Sequence, residues 1–147
     1  MPVHFQPSQY HTVVPFVYVP GVDKIIEFTK KVFDAVELHR MQIPNGPIMH
    51  AEVKIGDSII MFAEPMGDGK PVPSMLYVYV PDVDAAYQKA LDAGATSVAK
   101  PTDQFYGDRS AGVVDASGIY WGIGTHIEDV KPEEIIRREE AMRNKKG

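Results

Sequence analysis

Cysteine is absent from this chain of 147 residues. The absence excludes disulfide bonds, thiolate metal sites and a cysteine nucleophile. No segment approaches the roughly 18 consecutive apolar residues that a membrane-spanning helix needs, so we expect no membrane partner. The first ten residues contain polar side chains and no apolar run, unlike a secretory signal, and we therefore expect a cytoplasmic protein.

Positive charge is also scarce, because 15 Lys and Arg stand against 20 Asp and Glu, for a net charge of −5. This balance argues against a nucleic-acid partner. Hydrophobic residues make up 44% and charged residues 24%, which is typical of a globular protein. The length predicts one compact domain with its own core.

The sequence contains an internal repeat. Residues 16–23 read FVYVPGVD and residues 77–84 read YVYVPDVD, so that six of the eight positions are identical. The offset is 61 residues, from Pro20 to Pro81. Each copy joins a strand-like pattern to a Pro-containing turn and then to apolar residues at helical spacing. We interpret the repeat as a duplicated structural unit.

More strands follow the helix in each copy. Residues 50–55 and 58–63 flank a Gly56-Asp57 turn, which predicts a hairpin, and a turn at Ser117-Gly118 leads into a last strand. One strand-helix-three-strand unit is too small to bury both its sheet and its helix. Two units can close their sheets toward each other with the helices outside, which leaves a pocket on the concave side.

The predicted fold class is therefore α+β. We expect two βαβββ modules, residues 10–66 and 74–127, in an eight-stranded half-open barrel around a cavity, with the helices on the outer face. The charged residues 128–147 form an extension, in which Pro132 followed by two glutamates predicts a helix start.

Four segments carry a family resemblance: residues 16–33, 50–58, 77–94 and 104–110. Together they resemble the vicinal oxygen chelate superfamily, which contains glyoxalases, bleomycin-resistance proteins and extradiol dioxygenases. Residues 104–110 and 118–126 are similar to its PhnB-like branch. The resemblance implies the same two-module fold, and it implies a homodimer because members commonly pair their modules or whole chains.

The resemblance also implies a metal site with four His, Glu or Gln ligands, two from each module. The matching positions here are Val14, Met61, Met75 and Gly122. None is a ligand for a hard divalent cation, since thioether sulfur prefers soft metals. We therefore predict no metal at this site and no cofactor, although a divalent metal at a non-standard site stays open. Glyoxalase I and ring-cleaving activities are disfavoured.

Strand alternation assigns side chains to the expected cavity. The side chains predicted to contact a ligand there are Phe16, Tyr18, Met61, Met75, Tyr77 and Tyr120. Aromatic and methionine side chains suit flat or apolar molecules. The alternative is that the same residues only fill the core.

Polar candidates form two groups. His50 and Glu52 lie two residues apart on one strand, where they could be an acid-base pair or half of a metal site, or else a rim histidine beside a solvated glutamate. Gln104, Tyr106 and Arg109 share a short tract, in which Arg109 could clamp an anion. The alternative for that tract is that Arg109 pairs with its neighbours and braces the loop.

Two functions remain open from these residues. In the first, the protein binds a small aromatic or hydrophobic molecule, as bleomycin-resistance-type members do. In the second, it is a lyase or isomerase that uses His50 or Glu52 as the base and Arg109 as the substrate anchor.

Overall fold

Two βαβββ modules follow one another in the computed structural model, which describes residues 3–146. The first module contains β1 (Phe16–Tyr18), α1 (Val22–Phe33), β2 (Val36–Gln42), β3 (Ile48–Ile55) and β4 (Ser58–Ala63). The second contains β5 (Met75–Tyr79), α2 (Val83–Asp92), β6 (Thr96–Asp103), β7 (Asp108–Val114) and β8 (Tyr120–His126). The predicted α+β fold of two βαβββ modules is confirmed.

The repeat extends to the register of the strands. The first sheet has the order β1-β4-β3-β2 and the second has the equivalent order β5-β8-β7-β6. Phe16 lies opposite Met61 on parallel strands, and Tyr77 lies opposite Gly122 in the same way. Both members of the second pair follow those of the first by 61 residues. The sequence repeat is therefore a repeat of strand pairing as well.

Helix α1 buries a broad face, whereas α2 buries a narrow stripe. The buried residues of α1 are Val22, Ile25, Ile26, Phe28, Thr29, Val32 and Phe33. Those of α2 are Val83, Ala86 and Ala90. A face as broad as that of α1 needs neighbours on more than one side. Helix α1 finds them in its own sheet, in α2 and in the second sheet.

Trp121 on β8 joins the two modules. Its indole ring is fully buried and packs against Phe28 and Phe33 of α1, with ring centroids 5.9 and 5.3 Å apart. The indole N–H donates to the buried carboxylate of Asp115, 2.8 Å away. Buried residues of both modules therefore belong to one common core.

Each sheet turns its helix-bearing face toward this core and its other face outward. Val17 is buried while its neighbour Phe16 is 54% exposed, and Val78 packs on the core while Tyr79 is 63% exposed. The sequence led us to expect the aromatic faces to enclose a cavity between the modules. Instead, both aromatic faces are open at the surface of the single chain, because the shared core takes the opposite faces.

A third helix, α3 (Pro132–Lys146), follows the second module. The Arg138 guanidinium donates to the Glu128 carboxylate at 2.8 and 3.0 Å and to the carbonyl oxygen of Phe105 at 3.1 Å, which fixes the first half of the helix against the β6–β7 loop. No helix within residues 3–146 is long and apolar enough to cross a membrane.

The Trp121–Asp115 bond generates a stability prediction. Trp121→Phe keeps an aromatic ring but leaves a buried carboxylate oxygen of Asp115 without its donor. We expect the free energy of unfolding in urea to fall by about 2–4 kcal/mol, from the unpaired oxygen and the lost ring volume. Tyr87→Phe is the matched control, because it removes only an exposed hydroxyl bond to Ser97. Equal losses in the two variants would contradict the assigned role.

Candidate functional site

The outward face of the first sheet, here called the first-module face, contains a buried carboxylate. One row across its four strands consists of Phe16, Met61, Glu52 and His39. Glu52 is only 8% exposed. The Tyr10 hydroxyl lies 2.7 and 2.8 Å from the two carboxylate oxygens of Glu52, and His50 Nε2 lies 2.8 Å from Oε2. The carboxylate is therefore fully partnered.

Two opposing effects set the charge state of Glu52. Burial raises its pKa, but hydrogen bonds from His50 and Tyr10 outweigh burial, so the pKa lies below the usual 4.5. The bond to Glu52 in turn raises the pKa of Tyr10, with a further contribution from burial. At neutral pH the cluster thus holds an ionised carboxylate and a protonated phenol.

Several predicted residues do meet on this face. The His50 ring lies 5.9 Å from the Phe16 ring and 6.0 Å from the His39 ring. Tyr18 points to the loop after β4, where its hydroxyl accepts the backbone N–H of Met66 at 3.3 Å. Sequence reasoning missed Tyr10, because this partner of Glu52 is 42 residues away and no local pattern connects the two.

The outward face of the second sheet, the second-module face, contains a second buried carboxylate. Asp108 is 4% exposed, and its Oδ2 accepts the hydroxyls of Tyr77 at 3.0 Å and Tyr79 at 2.9 Å. His126 Nδ1 lies 2.9 Å from Asp108 Oδ1, and His126 Nε2 lies 2.8 Å from Asp129 Oδ1. With a carboxylate at each ring nitrogen, both positions favour an N–H, so the imidazolium fits best.

Asp108 and His126 on this face each stabilise the charged form of the other. Burial raises the pKa of Asp108, but hydrogen bonds from His126, Tyr79 and Tyr77 outweigh it and hold that pKa below 3.8. Hydrogen bonds to Asp108 and then Asp129 raise the pKa of His126 above 6.5. Burial, followed by the bond to Asp108, raises the pKa of Tyr77 far above 10.

Sequence reasoning did not connect His126 with Asp108. The two residues are hydrogen-bonded neighbours because β7 and β8 form an antiparallel hairpin that pairs position 108 with position 126. Both positions lie nine residues from Ser117 in the turn that joins these strands. Counting outward from that turn would have brought the pair together.

Glycines let tyrosine rings lie flat on the second-module face. A Cβ atom at Gly122 would lie 2.7 Å from Cδ2 of Tyr77, and one at Gly124 would overlap the Tyr77 hydroxyl. A Cβ atom at Gly112 would likewise overlap the Tyr120 hydroxyl. The sheet is therefore bare of side chains where the two rings cover it.

The four positions that the family resemblance assigns to a metal do not fit one. Val14, Met61 and Met75 offer no oxygen or nitrogen ligand, and the ring of Tyr77 covers Gly122. Within residues 3–146, no group of three or more His, Asp or Glu side chains is arranged to hold a metal ion. We therefore assign no chemical step to a metal.

Arg109 points away from the second-module face. Its guanidinium donates to Asp84 at the start of α2 at 2.8 and 3.0 Å, and to Asp103 on β6 at 2.9 Å. These contacts correspond to the alternative in which Arg109 pairs with its neighbours. Both carboxylates already occupy the fork that an anionic ligand would need.

The remaining predicted residues of the second module are near the tyrosines or in the turn beside them. Tyr106 is partly exposed and packs edge-on against Phe105. Gln104 contributes backbone groups to the turn, because its N–H donates to the Asp108 carbonyl and its own carbonyl accepts from Gly107. Met75 is 67% exposed and lies opposite Tyr120.

Two clefts follow the junction between the modules, with volumes of about 480 and 630 Å³. Neither is lined by His50, Glu52 or Asp108. The carboxylates of Glu52 and Asp108 thus belong to the open sheet faces and not to these clefts.

Comparison with known proteins agrees with this geometry. The model of the Glyoxalase/Bleomycin resistance protein/Dioxygenase superfamily matches residues 8–123. The chain belongs to this superfamily. An uncharacterized protein from Mycobacterium bovis is 36% identical over 132 residues, with coverage of 82% of this chain and 87% of that protein.

Solved structures that are similar in fold to this chain include TioX from Micromonospora sp. ML1, with 24% identity, a TM-score of 0.66 and coverage of 80% of this chain and 99% of that one. The fosfomycin resistance protein FosX from Listeria monocytogenes has 14% identity, a TM-score of 0.64 and coverage of 85% and 97%. The PhnB protein from Bacillus cereus has 12% identity, a TM-score of 0.61 and coverage of 78% and 99%. These likenesses show the fold.

The close contact between Gly124 and the Tyr77 ring generates one prediction. Gly124→Ala should lower the free energy of unfolding by about 1–3 kcal/mol, because the new methyl group displaces the Tyr77 ring. In a Tyr77→Ala background the same substitution should cost less than about 1 kcal/mol. The measurement is a double-mutant cycle by urea unfolding. Additive losses would show that Gly124 is needed for another reason.

The His126 contacts generate a pH prediction. Because folding raises the pKa of His126, its stabilisation is fully present below pH 6.5 and is lost as the pH rises through the folded-state value. Urea unfolding of the wild type and His126→Gln should therefore differ most at about pH 5.5 and least at about pH 9. A difference that stays constant with pH would contradict the charged contact.

Proposed function

We propose that this chain binds a small aromatic or hydrophobic molecule as a homodimer, in cavities between the first-module face of one protomer and the second-module face of its partner. The single observation that carries the proposal is that two aromatic sheet faces, already ordered by buried carboxylates, are left open. Phe16, Met75 and Tyr79 are each more than half exposed. A cytoplasmic location is part of the proposal.

Internal order on these faces supports binding. Tyr77 and Tyr79 are fixed through Asp108, and His50 is fixed through Glu52. Side chains that are already held by hydrogen bonds lose less conformational entropy when a ligand binds, which favours affinity. The absence of metal ligands at the family's usual positions removes the superfamily's shared metal chemistry but leaves its binding faces.

The internal repeat of the two modules supports a homodimer. Exposed apolar patches on a protein surface usually mark an interaction site. Because the two modules repeat each other, a two-fold axis that sets the first-module face of one protomer against the second-module face of the other creates two equal cavities. A ligand between them would contact Phe16 and Met61 on one wall and Tyr77 and Tyr79 on the other.

The names of the superfamily and of one structural neighbour also support binding of a small molecule. The superfamily name includes bleomycin resistance, and one solved neighbour in fold is a fosfomycin resistance protein. A small-molecule ligand for this chain is consistent with both names.

The second candidate function is that of a lyase or isomerase. The observation that favours it is the His50–Glu52 contact of 2.8 Å on the first-module face, which is the geometry of a base and its positioning partner. Its proposed anchor is weaker, because Asp84 and Asp103 already engage Arg109. We therefore favour binding.

The dimer and the ligand can be tested on the same purified protein. Sedimentation equilibrium should give twice the 16.3 kDa of one chain at micromolar concentration. A thermal-shift screen of metabolites and antibiotics should yield aromatic hits, each adding about 2.7 kcal/mol at 100 times its dissociation constant. Tyr79→Ala should abolish the shift, whereas Tyr87→Ala on α2 should keep it.

Three outcomes would contradict this proposal. A clean monomer in sedimentation removes the shared cavity. Turnover of a hit, detected by mass spectrometry and lost in His50→Ala, establishes the enzyme instead. Stoichiometric metal in protein purified without chelator, also lost in His50→Ala, establishes a non-standard metal site.

A further inference from the structure

We infer that the second-module face selects ligands that carry an ammonium group, which it recognises through the rings of Tyr77 and Tyr79 and the carboxylate of Asp108. These three residues are called the tyrosine platform below. The inference rests on the proposed binding function and names the chemical class of its ligand.

The shape of the platform suits a cation above a ring. The Tyr77 ring lies against Gly122 and Gly124, so one of its faces covers the sheet and the other turns away from it. The Tyr79 ring is inclined to it by 66°, with the centroids 5.2 Å apart. The pair therefore presents aromatic surface in two directions, and Tyr79 is largely exposed. Cations bind such ring faces within about 6 Å of the centroid.

Hydrogen bonding makes these rings better cation acceptors. Both hydroxyls donate to the same oxygen of Asp108, at 3.0 and 2.9 Å. A phenol that donates to a carboxylate is polarised toward its anion, which adds electron density to the ring. The negative face of each ring becomes stronger, and the attraction for a cation rises with it.

The charges around the platform also favour a cation. The side chains that β5, β7 and β8 direct to this face include no Lys or Arg, and the charged ones among them are Asp108 and His126. Arg109, next to Asp108 in sequence, is engaged by Asp84 and Asp103 on the other side. His126 lies between Asp108 and Asp129, so two carboxylates surround one imidazolium. The local charge is negative, which attracts ammonium and repels carboxylate ligands.

The test compares three meta-substituted phenols of different charge, of which the cation and the neutral probe have the same shape. The probes are (3-hydroxyphenyl)trimethylammonium, its neutral isostere 3-tert-butylphenol and the anion 3-hydroxybenzoate, titrated into the full chain by calorimetry at low salt. We expect the ammonium probe to bind about tenfold more tightly than the neutral isostere. The benzoate should bind more weakly than both.

Variants separate the platform from general hydrophobic binding. Tyr79→Phe keeps the ring and removes the bond to Asp108, so it should reduce the tenfold preference while leaving the affinity for 3-tert-butylphenol nearly unchanged. Tyr87→Phe, which loses a hydroxyl on α2 away from this face, should keep the full preference. An unchanged preference in Tyr79→Phe would overturn the role of the Asp108 bond.

The outcomes distinguish this inference from the proposed function. Equal affinity for the ammonium probe and its isostere overturns the inference and leaves binding of aromatic molecules in place. Failure of all three probes, alongside screening hits that carry no ammonium group, also overturns the inference alone. Failure of the probes and of the whole screen removes the proposed function as well.

Discussion

Both four-stranded sheets bury their helix-bearing face in one common core, and the rest of the structure depends on this packing. Trp121 of the second sheet is enclosed by Phe28 and Phe33 of the first module, so neither module has a core of its own. Because side chains alternate along a strand, burial of Val17 turns Phe16 outward. The open aromatic faces therefore follow from how the core is built.

A buried carboxylate on each outward face then fixes the side chains around it. Glu52 and Asp108 are nearly inaccessible to solvent, and a buried charge is tolerated only when it is well hydrogen-bonded. The donors are Tyr10 and His50 in the first case, and two tyrosines with His126 in the second. The two clusters occupy different strand positions, since Gly112 takes the place of Glu52 in the row of the second sheet. The duplicated modules thus offer two faces of similar shape and different chemistry.

The sequence predicts the parts of this arrangement that depend on local pattern. The repeat predicts the module order, and alternation predicts which side chains share a face. It does not predict contacts made by chain segments far apart in sequence. Tyr10 reaches Glu52 across 42 residues, and Arg109 donates to Asp84 on α2, which packs against β7. Such contacts depend on how helices and sheets pack, which no periodicity encodes.

The central claim is that the first-module face of one protomer meets the second-module face of its partner in a dimer. Because the chain contains no cysteine, single introduced thiols can test this arrangement directly. Met61→Cys places one thiol on the first-module face, and Met75→Cys places one on the second-module face. A bifunctional thiol cross-linker is added to each variant alone and to their re-equilibrated mixture. Its two reactive groups are about 10 Å apart, which is the spacing of two facing sheets. The account predicts a cross-linked dimer in the mixture and little in either variant alone. Cross-linking of each variant with itself, and none between the two, would contradict it.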